Sequence, residues 1–252
     1  MDKLSVSLAI IGDNIKYPIN PHKLLKWKSS LFQVKDIDPF QLPSDMAPLD
    51  GYSSEDIARI INNNYKNAPL VLSIADIPFK PLNSSLTDGK KRRPYVQKVA
   101  DNHLCFTFFD LGEFLKAKNI PYETYIQKMI YSAALGFMTH GKILDDIELL
   151  GHRDIRGCIF DIMSAYPEVE YSCKSPGLCD SCCTKYKNGI PKNVIDDIRK
   201  ELKEIKRPLF FRIRDWIMRH PIRFILLSIF SAICTNIIAS FFYDLLRTNL
   251  NK

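Results

Sequence analysis

Leu4, Val6, Leu8 and Ile10 alternate with small or polar residues and stop at Gly12, a period of two that predicts a half-buried strand. "NPHKLLKWKSSLFQV" predicts a short helix feeding a second strand, with Trp27 and Phe32 in the core. The Pro-rich "DPFQLPSDMAPLDGYS" predicts a loop. Ser53 or Ser54 then caps a helix whose apolar face is Ile57, Ile60 and Ile61, with Glu55 and Asp56 at its positive end. "APLVLSIADIPF" is a continuous apolar run of strand length and predicts a central strand. A turn-rich stretch with a basic run at Lys90, Lys91, Arg92 and Arg93 follows, and "HLCFTFFDL" predicts a further strand. "PYETYIQKMIYSAALGFM" opens on a proline suited to a first helical turn and repeats Ile126, Ile130, Ala133 and Ala134 at helical spacing.

The pattern changes after residue 190. Residues 191–206 predict a charged helical connector. Beyond Pro208, Leu209, Ile213, Trp216 and Ile217 share one face with arginines beside them, a composition suited to the lipid headgroup layer. Between Arg223 and Asp244 lie 20 residues without a charge. At ~1.5 Å per residue such a helix crosses the roughly 30 Å apolar layer of a bilayer. Nine Lys or Arg residues in 199–223 outnumber Arg247 and Lys252 on the other side, so the positive-inside rule places the N-terminal part in the cytoplasm. Within the span, Ser231, Thr235 and Ala239 recur every four residues beside Asn236, a face suited to close helix association. The expected organisation is an α+β domain over 1–190 with a mixed sheet, a juxtamembrane connector over 191–222, and one transmembrane helix over 223–246. Its expected partners are membrane lipid, a protein, and a second copy of the chain through the membrane helix.

Composition narrows the chemistry. With 46% hydrophobic and 25% charged residues the 252-residue chain is globular rather than disordered, and its net charge of +7 is modest. The basic run at 90–93 has no interleaved aromatics and reads as a solvated loop rather than a nucleic-acid site. The first residues lack the basic and apolar regions of a signal peptide, and seven cysteines fit a disulfide scaffold poorly. Five of those seven nevertheless fall between His152 and Tyr186.

Cys179 and Cys182 form a C-x-x-C, and His152 and Cys158 precede them in an H-x5-C spacing. Thiolates and a neutral imidazole are zinc ligands, and a structural zinc takes four in a tetrahedron. Cys173 and Cys183 are spare thiols able to replace any one of the four. A redox C-x-x-C normally opens a helix after a strand in a βαβ unit, and "SPGLCDSCC" has little strand before it. Redox pairing and inert burial stay open beside metal. No G-x-S-x-G elbow or glycine-rich phosphate loop is present, and His140 and Glu148 read as solvated.

These residues resemble the archaemetzincin-like zinc peptidases, whose signature is H-E-x-x-H-x-x-G-x-x-H-C-x4-C-x-M followed by C-x-x-C. His152 matches the third histidine, Arg153 stands at the first cysteine, Cys158 matches the second, Phe160 stands at the methionine, and Cys179 and Cys182 match the closing pair. Counting back from His152 puts Lys142, Ile143 and Asp146 at the H-E-x-x-H positions, and no H-E-x-x-H occurs in the chain. A zincin needs those two imidazoles for its catalytic zinc and the glutamate to take a proton from the bound water. The resemblance implies a metzincin-like scaffold with its structural zinc retained and its catalytic one lost. The expectation is a membrane-anchored, non-catalytic zinc-binding recognition or signalling protein, of a design seen in bacterial defence and stress systems. Two rivals are a membrane-tethered metallopeptidase with non-standard ligands and a zinc-dependent nucleic-acid binder.

Overall fold

A computed structural model describes residues 2–12, 18–43, 50–61, 64–65, 67–80, 95–143, 151, 157–161, 166–174, 176–187, 189–205 and 209–250. The chain divides into two compact units, Met1–Lys206 and Arg207–Lys252. The first is built on five strands: β1 (Leu4–Ile11), β2 (Phe32–Phe40), β3 (Leu70–Ala75), β4 (Val96–Ala100) and β5 (His103–Thr107). Their order across the sheet is β2-β1-β3-β5-β4. β1 runs parallel to both β2 and β3, and β3 parallel to β5, while β4 lies antiparallel on the edge. Parallel neighbours need crossover connections. α1 (Pro21–Leu25) lies on the connection from β1 to β2, and α2 (Ser54–Ile61) on that from β2 to β3. The result is a mixed α/β sheet with helices.

β1 was expected to be half-buried; from Val6 onward it is buried on both faces. It is an inner strand, and the pleat sends successive side chains into two different cores. Val6, Leu8 and Ile10 join Leu72, Ile74, Leu104 and Phe106 in the larger core, whereas Ala9, Ile11, Ala75 and Cys105 meet Ile57, Ile60 and Ile61 of α2. α2 starts as expected: the Ser53 amide donates to the Asp56 carboxylate (2.9 Å), and the Asp56 amide donates back to the Ser53 hydroxyl (3.3 Å).

The larger core is completed by α3 (Leu111–Ala117), α4 (Tyr122–His140), α5 (Tyr166–Lys174), α6 (Asp180–Tyr186) and α7 (Lys192–Glu204). α4 is a core helix buried almost continuously from Glu123 to Gly136, and it ends where Gly141 takes a left-handed conformation, φ +70°. α7 corresponds to the stretch read from sequence as a connector. Its Val194, Ile195, Ile198 and Leu202 are buried, and Glu201 accepts hydrogen bonds from the Ser30 amide (2.7 Å) and the Tyr131 hydroxyl (2.5 Å). Its charges occupy one face only, so the helix belongs to the globular unit.

The second unit holds α8 (Leu209–Arg219) and α9 (Pro221–Leu250). In α8, Phe210, Ile213, Trp216 and Met218 are exposed. The segment Pro221–Ser240 of α9 has a mean hydropathy of 2.0 over its most apolar window, none of it buried, and is long and apolar enough to cross a membrane. The basic run at 90–93, and also Asp146, Glu148 and His152, lie outside the described residues.

Candidate metal centre

Two short segments bring the thiols together. Gly157 adopts φ +73°, a conformation that side chains disfavour, and turns the chain into a bridge with Gly177. The Ile159 amide donates to the Gly177 carbonyl and the Gly177 amide to the Gly157 carbonyl, each at 2.8 Å. This clamps Cys158, itself buried, beside the chain that leads into α6. Cys179 is the N-cap of that helix in extended conformation, and its carbonyl accepts the Cys183 amide at 2.9 Å. Cys182 follows in the first turn. The Sγ atoms of Cys158, Cys179 and Cys182 all lie within 4.8 Å of one another. None of the three is in a disulfide.

The sulfurs are electrostatically unequal. Burial works against a Cys179 thiolate, but hydrogen bonds from the Ser181 hydroxyl (3.1 Å) and the Cys182 amide outweigh it and hold the thiol below its ordinary pKa. Cys182 is pushed well up, first by its hydrogen bond with Cys158 and then by burial. Crowded thiols of this kind resist losing a second and third proton unless a cation takes the charge. In tetrahedral zinc with Zn–S bonds near 2.3 Å the sulfurs stand about 3.8 Å apart, so closing this trio around one ion asks for side-chain movement of about 1 Å. The donor set and its spacing fit zinc.

Among the described residues, these three are the side chains close enough to share an ion. His152 lies outside the described residues. The spare thiols are not part of the trio. Cys173 is fully buried on α5. The Cys183 thiol points at the Leu178 carbonyl, 3.8 Å away, and burial pushes its pKa up.

Lys142 and Ile143 follow the end of α4 at His140, and Asp146 lies outside the described residues. Measured back from the capping glycine instead, the H-E-x-x-H-x-x-G spacing falls on Ala134, Leu135, Met138 and Gly141. Neither register supplies a histidine, or a carboxylate at the glutamate position. Lys142 is exposed and Ile143 is core.

Sequence reading named Phe160 but missed three other neighbours of the trio, Tyr186, Lys128 and Ser172. Phe160 stacks on Tyr186 beside it. Lys128 of α4 is fully buried and donates a hydrogen bond to Ser172 of α5. Ser172 in turn donates to the Cys158 carbonyl at 3.2 Å. A lysine among the apolar positions of a core helix was the one available signal.

No family model and no curated protein matches the chain. Among solved structures, the crystal structure of archaemetzincin from Methanopyrus kandleri aligns over 74% of this chain and 95% of its own, at 14% identity and a TM-score of 0.44.

Proposed function

We propose that this chain is a membrane-anchored zinc-binding recognition or signalling protein whose metal is structural. The observation that carries the reading is the trio Cys158, Cys179 and Cys182, whose sulfurs lie within 4.8 Å of one another where α6 begins and form no disulfide. Zinc there would tie the Cys158 bridge to α6, and metal binding would contribute directly to folding of the first unit. His152 is the residue we assign as fourth ligand, six positions before Cys158. A neutral imidazole there completes a tetrahedron without adding charge.

The absence of an H-E-x-x-H, with Ala134, Leu135 and Met138 on the last turns of α4, supports a role in binding rather than peptide hydrolysis. The apolar segment of α9 supports anchoring, and the basic residues before it favour the first unit on the cytoplasmic side. A domain held there presents its surface to a cytosolic partner or signal.

The test is metal analysis of the full-length chain purified in detergent, together with peptidase assays on the zinc-loaded protein. One zinc per chain, lost in Cys182→Ser, and no cleavage of casein are expected. A folded chain without metal would overturn the zinc assignment. Zinc-dependent cleavage abolished by His152→Ala would instead establish the tethered-peptidase reading.

A further inference from the structure

We propose that Lys128 is a positioning residue for the cysteine centre, a buried positive charge that fixes Cys158 and balances the thiolates around the metal; this rests on the zinc reading above. Lys128 lies in the middle of α4 between Gln127 and Met129, and its exposure is 0%. Lysine is almost never fully buried without a partner of opposite charge, because an unpaired ammonium in the interior is costly. Met or Leu would fill this core position without that cost.

The hydrogen bonds lead to the metal centre. Lys128 Nζ donates to Ser172 Oγ, and Ser172, also fully buried, donates to the Cys158 carbonyl. That carbonyl also accepts the Asp161 amide at 3.1 Å. The backbone of one metal ligand is therefore held from α5 and, through Ser172, from α4.

Electrostatics points the same way. Three thiolates on a divalent cation with a neutral imidazole leave one net negative charge, which a single ammonium cancels. In the interior such an interaction is weakly screened. Burial holds the Lys128 ammonium below its ordinary pKa, and the charges of Cys173, Asp161 and Cys158 act against that shift. Asp161 is buried and is the competing counter-ion. If Lys128 serves Asp161 alone, the metal centre does not depend on it.

The experiment compares zinc affinity of full-length wild type, Lys128→Met and Asp161→Asn in detergent, by competition with a chromophoric chelator. The Co(II) forms are compared by their thiolate-to-metal charge-transfer bands. Methionine keeps the length and apolar stem of lysine. Lys128→Met is expected to lose roughly tenfold to a hundredfold in affinity with a shifted cobalt spectrum, and Asp161→Asn less than about threefold. A Lys128→Met affinity within about threefold of wild type, or an equal loss in both variants, would overturn the proposal. If Lys128→Met does not fold, Ser172→Ala carries the test: it should weaken zinc binding by several-fold, and an unchanged affinity and spectrum would count against Lys128. A wild type that binds no zinc refutes the zinc reading itself, whereas zinc-binding wild type and Lys128→Met of equal affinity refute only this inference.

Discussion

Phe160 stacks on Tyr186 with ring centroids 4.7 Å apart and planes 19° from parallel. Phe160 lies two residues after Cys158 and Tyr186 four after Cys182, so the stack joins the two segments that carry the thiols. Both rings are buried, and the Tyr186 phenol is pushed up by burial and then by the charges of Cys182 and Cys158. Phe160→Ala should therefore cost about 3–5 kcal/mol of stability, with weaker zinc binding in parallel. Denaturant unfolding with and without zinc checks this. A loss confined to stability, with zinc affinity unchanged, would make the stack a core contact only.

The thiols should separate into two classes. Cys158→Ser, Cys179→Ser and Cys182→Ser are each expected to lose zinc and stability together, because a site left with two thiolates binds weakly. Cys173→Ala and Cys183→Ala remove thiols outside the trio and should keep one zinc per chain. Zinc loss in Cys183→Ala as complete as in Cys182→Ser would mean that the helix turns on metal binding and exchanges its ligands.

The parts legible in the sequence share a physical origin. β1, β3, β5 and α4 bury most of their side chains and α2 buries one apolar face, so their apolar spacing announces them. β4 was read as part of a turn-rich stretch, because an edge strand of intermediate exposure, "VQKVA", has no reason to alternate. α7 was legible as a helix but not as part of the globular unit, since its charges outnumber its buried face. At the metal centre the C-x-x-C and Cys158 were visible through ligand spacing, which is local chemistry. Lys128 and Ser172 were not, because their connection to Cys158 spans 30 and 14 residues and exists only once α4 and α5 pack.

His103 should make the fold acid-sensitive. Its Nε2 lies 2.5 Å from the buried Ser73 hydroxyl, and burial lowers its pKa from 6.5 to about 4. A histidine held neutral when folded contributes its full stability above the unfolded value of 6.5 and loses it as the pH falls through about 4. At roughly 1.4 kcal/mol per pH unit, the loss amounts to about 3 kcal/mol. Unfolding free energies of wild type and His103→Asn, measured from pH 7 to pH 4, isolate this from acid effects on the zinc thiolates. The wild-type curve should fall more steeply, and parallel curves would mean that His103 accepts a proton without leaving the fold.

The last expectation concerns α9. Thr235 Oγ1 donates to the Ser231 carbonyl (2.8 Å) and Ser228 Oγ to the Phe224 carbonyl (2.9 Å), so these hydroxyls are satisfied within the helix. Ser228, Ser231, Ala232, Thr235 and Asn236, with Leu227, line one shallow hollow along its side. Ala239 lies one turn further on. Small residues let helix backbones approach in lipid, where the hydrophobic effect does not drive helices together. An amide near mid-span gains most from a hydrogen bond to another helix. A second copy of the chain supplies the same face in reverse. Crosslinking of the full-length protein in membranes should therefore trap a dimer. Asn236→Leu should weaken it, and Thr235→Leu with Ala239→Leu should weaken it separately by holding the backbones apart. A wild type that crosslinks only as a monomer, or variants that crosslink as well as wild type, would leave α9 without a helical partner on this face.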